Sequence, residues 1–447
     1  MKSSNLCLSC FSVSKTLFDK KEGKMGKKGL AGFLVSVSLL LALVLSLFGT
    51  YAQPVAAQQE KKPILIGHLH PFTGGFAMFG TACAIGIDVA IDEINRRGGV
   101  LGRPFAVIHR DDKMSPEAGL REAKDLVLDK KVDFLTGTIS SGVALAISGY
   151  SKEAKVIFVV TGARSTQLTE DKGHRYIFRI GANEFSRVST VAQLAAKKWG
   201  GKAKKLVMIN PDYGYGRACA NYFNEEYGKL VPGVQLVYSD WPKLGTSDFT
   251  PYISKLMGSG AEILFHSLYG GDYLTFVKQA VSAGVYKKFN VVGASCGGTE
   301  TVCEMKKDDP APLGEILSDE FPYWEIKNPK AKEVASRFIE KAGTTYASYE
   351  SILGYTTVYA LKAAIEAVGA VNTEKIVDYL EGREIDSPIG KVKIQAIDHQ
   401  ALWPPYAGTM AFTPDYPWPH IVNVWYPEPI EKAYHSPEYI QKIRKEK

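Results

Sequence analysis

Metal-binding words and a dominant charge are both missing from this sequence. Beyond residue 57 no CxxC pair occurs, no HExxH helix occurs, and the eight histidines are scattered, so nothing calls for a zinc site. The glycine-rich words TGGF and GGTE lack the lysine that a phosphate loop needs after its glycines. The formal charge of +7 sits mostly at the N-terminus: residues 1–57 carry seven lysines and two acidic residues, which leaves 47 basic against 45 acidic side chains. Without a basic stripe there is no electrostatic case for nucleic acid. Low-complexity linkers are absent, and after residue 48 no apolar run is expected to span a bilayer.

What is present begins with that N-terminus. Residues 30–48 (LAGFLVSVSLLLALVLSLF) follow Lys20, Lys21, Lys24, Lys27 and Lys28, the pattern of an export signal. Met25 is a plausible start. Val55, Ala56 and Ala57 suit cleavage before Gln58, so residues 1–57 are read as signal peptide and leader and the protein as periplasmic. An uncleaved anchor is the alternative, because the run is long. Cys83, Cys219, Cys296 and Cys303 remain after cleavage; export permits a Cys296–Cys303 staple, with the other two buried and reduced.

At 447 residues, two domains are the starting expectation. From Lys62 short apolar runs alternate with stretches of helical period, the signature of βα units on parallel sheets. ILIGHL (64–69) reads as a strand. In AIGIDVAIDEINRR (84–97), Ile87, Ile91 and Ile94 recur at helical spacing before Gly98-Gly99 stops the helix. Ser115-Pro116 supplies a cap and a first-turn proline for the helix at 117–130. A second round starts near Glu184 and runs through KLVMINP, VQLVYSDWP, EILFHSLYG and NVVGAS. Two α/β lobes sharing one cleft follow from this. The tail beyond Pro427 is polar and is expected to be exposed.

These residues resemble the periplasmic substrate-binding proteins of ABC importers, of the leucine/isoleucine/valine-binding type. The resemblance rests on INRRGGVLGRPF (94–105) with RDD (110–112), on GTISSGVALAISGYSKEAKVIFVVTGARSTQLT (137–169), on DYGYG (212–216) and on DHQ (398–400), and covers most of residues 63–426. It implies an α/β fold of two Rossmann-like lobes with parallel sheets, a three-stranded hinge and a ligand cleft between them. The hinge crossings fall near Gly181, Phe321 and Asp386, giving an N-terminal lobe of 63–181 plus 322–385, a C-terminal lobe of 182–321 plus 386–426, and a tail of 427–447. It also implies a membrane permease as partner and no cofactor.

In open α/β sheets, ligands bind beyond the carboxyl ends of the strands, where helix N-termini point free amides inward. Ser140 and Ser141 end one such strand; Gly162, Ala163 and Arg164 end the next. Ser141 is either a plain helix cap or, as the resemblance implies, the holder of a ligand carboxylate. Arg164 stands where the family has a small hydroxyl residue. Its planar guanidinium can take a carboxylate in two parallel bonds, and the alternative is a surface salt bridge. The resemblance places aromatic walls at Tyr213, Tyr269 and Phe79. Amino-acid binders of the family keep an acid after the strand matching NVVGAS; here that place reads Ser295-Cys296, with Asp272 or Glu300 as substitutes from nearby loops. An added arginine and a lost acid together point to a carboxylate with an apolar or aromatic body, not to a zwitterionic amino acid.

His68 and His70 share one side of the first strand near the cleft, with structural contact the default role, and IDHQ (397–400) reads as a packed turn. An enzyme with Cys296 as nucleophile lacks an orienting partner in the sequence. A tethered ligand sensor of the same fold is the remaining alternative.

Overall fold

The computed structural model describes residues 62–200 and 202–446, so the leader and its apolar run lie outside the described residues. Strands β1 (Ile64–His70), β2 (Phe105–Asp111), β3 (Phe134–Gly137), β4 (Phe158–Val160) and β5 (Ile177–Arg179) build the first sheet in the order β2-β1-β3-β4-β5, with every pair parallel. Helices α1 (Ala77–Arg96), α2 (Pro116–Leu128) and α3 (Ser141–Ala154) make the crossovers. The isoleucine stripe of α1 is buried as its spacing requires, and the Gly99 amide turns back to the Ile94 carbonyl with φ of 73°. Ser115 caps α2 through the Ala118 amide.

The second round runs through α4 (Glu184–Trp199), β6 (Lys205–Ile209), α5 (Gly214–Leu230), β7 (Gln235–Asp240), α6 (Thr250–Gly258), β8 (Ile263–His266), α7 (Gly270–Ser282), β9 (Asn290–Gly293) and β10 (Ile316–Asp319). Helices α8 (Pro329–Ala342), α9 (Tyr349–Val368) and α10 (Thr373–Leu380) then return to the first lobe, where α8 and α9 pack on α1 and α10 packs on α9. A β-carbon at Gly86 of α1 would overlap the Ser351 carbonyl of α9, so this helix pair is in backbone contact. The helical stretch Gly74–Arg96 is apolar and long enough to cross a membrane by composition alone. That corrects the expectation that no segment past residue 48 has this character; here its apolar side packs against α9 and β1.

Strands β11 (Glu384–Ser387) and β12 (Gly390–Lys393) pair only with each other, and β11 lies against α9. The third passage to the second lobe therefore follows β12, between 394 and 405, and not near Asp386. Strands β13 (Tyr406–Ala411) and β14 (His420–Trp425) complete a seven-stranded sheet, β14-β13-β10-β9-β8-β6-β7, whose pairs are parallel except β10–β13 and β13–β14.

The tail differs from its sequence reading. It forms α11 (Pro437–Lys445) and buries Tyr434 and Ile440. Tyr434 Oη donates to the Trp403 carbonyl at 2.6 Å, His435 stacks on Phe185, and Arg444 donates to the carbonyls of Thr169, Glu170 and Ile397. Two apolar side chains in a polar segment, Tyr434 and Ile440, carry this packing and are too few to register as a period. The Cys296–Cys303 staple does not form: both thiols are free, and they contact different carbonyls, those of Gly298 and Glu300. Cys83 and Cys219 are buried.

Candidate functional site

Between the carboxyl edges of the two sheets lies a cavity with about 310 Å³ of atom-free space. From the first lobe it is lined by Ile139 and Ser141 past β3, Gly162 and Arg164 past β4, and Tyr349 at the start of α9. From the second lobe come Arg187 in the first turns of α4, Tyr213 and Tyr215 past β6, Tyr269 past β8, and Ser295 and Gly297 past β9.

The serine pair divides its work. Ser140 is the cap of α3, accepting from the Val143 amide at 3.4 Å, and does not line the cavity. Ser141 is thereby left to face inward, with its Oγ accepting the Ser165 amide at 3.3 Å. The cap expected at Ser141 belongs one residue earlier. Ala163 is likewise turned away, into the apolar cluster of the first lobe. Phe79 is fully buried behind the cavity, where its ring supports Tyr269 at 6.3 Å and Tyr349 at 6.4 Å.

Tyr213 and Tyr269 are the residues immediately before α5 and α7, held extended so that their rings leave the helix ends and enter the cleft. Their hydroxyls bond to each other at 2.9 Å, and Tyr215 meets Tyr269 edge-on. A wall of this kind presents flat apolar faces with hydroxyls at its rim.

Opposite the tyrosines stand two buried guanidiniums. Arg164 is 4% exposed and Arg187 3%. The Nη2 atoms of both approach the same oxygen, Glu320 Oε1, at 2.9 and 3.0 Å. Arg164 Nη1 donates to the carbonyls of Thr161 and Ala182. Both guanidiniums lie over the Tyr349 ring, at 5.2 and 5.5 Å. The fork expected of Arg164 is thus partly spent: Nη1 serves the backbone and Nη2 leans on Glu320. Glu320 lies off the line of the N–H bonds, however, and Nε and Nη2 of each arginine have no hydrogen-bond acceptor. Buried donors in that condition are costly unless something satisfies them.

Glu350 lies behind Arg164, its Oε1 3.9 Å from Nη2. Burial raises its pKa to about 7, against the opposing pull of Arg164. Burial also works against the charge on Arg187, but Glu320, Tyr349, Tyr215 and Asp319 together outweigh it and the pKa stands above the ordinary arginine value. Two fixed positive charges therefore face one firmly shared carboxylate, Glu320, and one carboxyl that is half-neutral near pH 7. Gly162 and Gly181 make room for this layer, since a β-carbon on either would strike Glu350 or Arg164.

Sequence reasoning missed Arg187, Tyr215, Tyr349, Ile139 and Gly297 on the wall, and Glu320 and Glu350 behind it. Tyr215 was visible in DYGYG, two residues past Tyr213. Arg187 sits in an ordinary helical stretch, and Tyr349-Glu350 begin a helix from the far end of the chain, so no local signal marked them. Asp272 and Glu300 do not line the cavity: Asp272 accepts the Gly245 amide and Glu300 accepts the Ser348 hydroxyl.

His68 and His70 are both buried, with Nε2 of the first 3.0 Å from Nδ1 of the second, and His70 Nε2 lies 3.6 Å from Glu350. They join Cys83 in a cluster whose donor atoms fall within 4.8 Å of one another, which the sequence spacing did not reveal. Ring nitrogens already paired with each other, beside Arg164, fit a hydrogen-bonded chain better than a cation site. Burial pushes the Cys296 thiol pKa well up, with Asp319 and Glu315 adding to the shift, the reverse of what a nucleophile requires. His399 packs flat on Phe178, and Gln400 holds Arg179.

Residues 63–411 match the family model described as periplasmic binding protein. The chain belongs to that family. Curated relatives include Leu/Ile/Val-binding protein homolog 7 of Brucella suis biovar 1 (strain 1330), 27% identical over 358 residues, spanning 78% of this chain and 87% of that protein. Leu/Ile/Val-binding protein BraC3 of Rhizobium johnstonii is 27% identical over 331 residues, 74% and 86% of the two chains. Among solved structures, a solute-binding protein of an ABC transporter from Rhodopseudomonas palustris HaA2, in complex with p-hydroxybenzoic acid, superposes with a TM-score of 0.73 at 23% identity over 82% of this chain and 98% of that one. A periplasmic binding protein from Burkholderia mallei gives 0.74 at 21% identity over 84% and 96%. Periplasmic binding proteins are solute-binding proteins and not an enzyme family, and membership implies an extracytoplasmic location.

Proposed function

We propose that this periplasmic binding protein captures a small carboxylate with an apolar or aromatic body and presents it, lobes closed, to the permease of an ABC importer. The observation that carries this reading is the set of four buried guanidinium nitrogens, Nε and Nη2 of Arg164 and Arg187, without acceptors beside the ligand cavity. A carboxylate supplies those acceptors and the missing negative charge together, and charge-assisted bonds of this kind are about twice as strong as neutral ones. Ser141 and the Gly162 backbone stand on the same side, in the first lobe; Tyr213 and Tyr269 close over the body from the second. The placement of Arg164 with Ser141, Gly162 and Ser295 around one cavity supports the reading, as does the p-hydroxybenzoate bound by the Rhodopseudomonas neighbour.

A free α-amino acid fits less well. Its ammonium would lie beside its carboxylate, close to two arginines, while Glu320 is already shared between them. Residues 1–57 are the export leader in this reading, removed before Gln58. Calorimetric titration with benzoate, para-hydroxybenzoate, aliphatic monoacids and leucine tests the ligand class. Tight binding of leucine with no binding of the simple acids would remove it. N-terminal sequencing of the exported protein tests the leader, and a chain that still begins at Met1 or Met25 would favour the tethered form.

A further inference from the structure

Beside the ligand cavity lies a second chamber, open to solvent, and the two share Ser141, Tyr213 and Tyr215 as common walls. The chamber's character is opposite to that of the inner cavity. It is lined by the carboxylates Glu170, Asp171, Glu184 and Glu446, with Tyr222 and Tyr439, and by no basic side chain among the described residues. The tail supplies Tyr439 from α11 and Glu446 from just past its end, so the segment expected from sequence to be exposed forms the outer wall.

Some of this negative charge is matched. Glu170 holds His435 at 3.0 Å, and Glu446 lies 3.8 Å from Lys442. Glu184 is different. It is 2% exposed, and its Oε1 accepts the amide and hydroxyl of Thr166, but its Oε2 has no partner. The nearby guanidinium of Arg179 gives its nitrogens to Gln400, the Ser165 carbonyl and Thr169 instead. Burial raises the pKa of Glu184 to about 8, against the opposing pull of the Thr166 hydrogen bonds and of Arg179.

We infer that this outer chamber is a second subsite, in which Glu184 receives a cationic, hydrogen-bond-donating group at the far end of a ligand whose carboxylate sits on Arg164 and Arg187. The inference rests on the carboxylate reading of the inner cavity and names the ligand class more closely: an elongated acid with an apolar middle against Tyr213 and Tyr215 and an amine or similar donor at its other end. An α-amino acid cannot satisfy both ends, because its two charges are too close together. An ω-amino acid can.

The test is calorimetric titration of the exported protein with matched pairs: straight-chain ω-amino acids of four, six and eight carbons against the plain acids of the same length, and para-(aminomethyl)benzoate against para-methylbenzoate. For at least one length, the amino member is expected to bind about tenfold tighter or better, a gain near 1.4 kcal/mol, and Glu184→Gln is expected to erase the difference within that pair. Plain acids that bind with no gain from the amine at any length would overturn the outer subsite and leave the inner reading standing. A gain that survives Glu184→Gln would do the same. Failure of every acid to bind would overturn both. A crystal structure of the wild-type complex gives a reading independent of the variant, and an ammonium nitrogen placed away from Glu184 Oε2 would also sink the inference.

Discussion

Arg164 and Arg187, one from each side of the first hinge passage, bring their Nη2 atoms to within 2.9 and 3.0 Å of a single oxygen of Glu320. Glu320 stands just past β10, at the second passage, and its backbone carbonyl receives the Trp403 indole N–H from the third. The positive charge of the ligand cavity is thus anchored where the chain passes between the lobes. Truncating either arginine removes ligand donors and leaves Glu320 short of a partner. Arg187→Ala is expected to weaken binding of a carboxylate ligand by about 2–5 kcal/mol, read by calorimetry, with leucine-sized neutral ligands affected little.

Glu350 gives the site a pH dependence. Its pKa in the folded protein is raised to about 7 by burial, above the value of about 4.3 expected in the unfolded chain. The protonated form is therefore the one the fold prefers: this group's stabilising contribution is fully present below about pH 4.3 and is lost as pH rises through about 7. Protonation also removes a negative charge from behind Arg164, so affinity for an anion is expected to rise as pH falls from 8 to 6. Glu350→Gln holds the neutral state and is expected to flatten that profile, and to raise the thermal midpoint at pH 8. A steeper profile in the variant would contradict this.

The tyrosine wall is expected to matter by parts. Tyr269→Phe removes the hydroxyl bonded to Tyr213 at 2.9 Å and costs about 0.5–1.5 kcal/mol of stability or closure. Tyr349→Leu removes the ring under both guanidiniums and is expected to weaken ligand binding further than Tyr269→Phe does. Titration of the two variants with one acid orders them.

The α1–α9 contact carries the first lobe. Gly86→Ala places a methyl group on the Ser351 carbonyl, and overpacking of this kind costs about 1–3 kcal/mol. Urea denaturation of the variant should show a lower midpoint.

Deleting residues 428–447 removes Tyr434, His435 and Arg444, which fasten the tail to Trp403, Phe185 and the 169–170 carbonyls. A free tail could be cut without effect. The packed one is expected to take several degrees off the thermal midpoint when it goes.

Much of the fold was legible because βα alternation is local: the isoleucine stripe of α1, the cap at Ser115 and the run of short strands each declare themselves within a dozen residues. The cavity was legible in part for the same reason, since Ser141, Gly162, Arg164, Tyr213, Tyr269 and Ser295 all follow strands. Several residues that complete it carry no such local signal. Arg187 faces the cavity from a helix, Tyr349 and Glu350 arrive from a helix that packs on the first lobe after two passages, and Glu320 belongs to the hinge. Their meeting depends on chain return, which leaves no trace in spacing. The third passage was placed near Asp386 on the resemblance alone, whereas β11 and β12 form a separate hairpin there. Arg164 was singled out as a departure from the family, and its sharing with Glu320 could not be read from one strand end.

The most direct test of the site is a calorimetric comparison of each carboxylate in a small panel, benzoate and hexanoate among them, with its own carboxamide, which keeps the shape and removes the charge. If Arg164 and Arg187 receive the ligand, each acid that binds should do so at least about a hundredfold tighter than its amide, a difference near 2.7 kcal/mol. Amides that bind as tightly as their acids would contradict a cavity built around an anion.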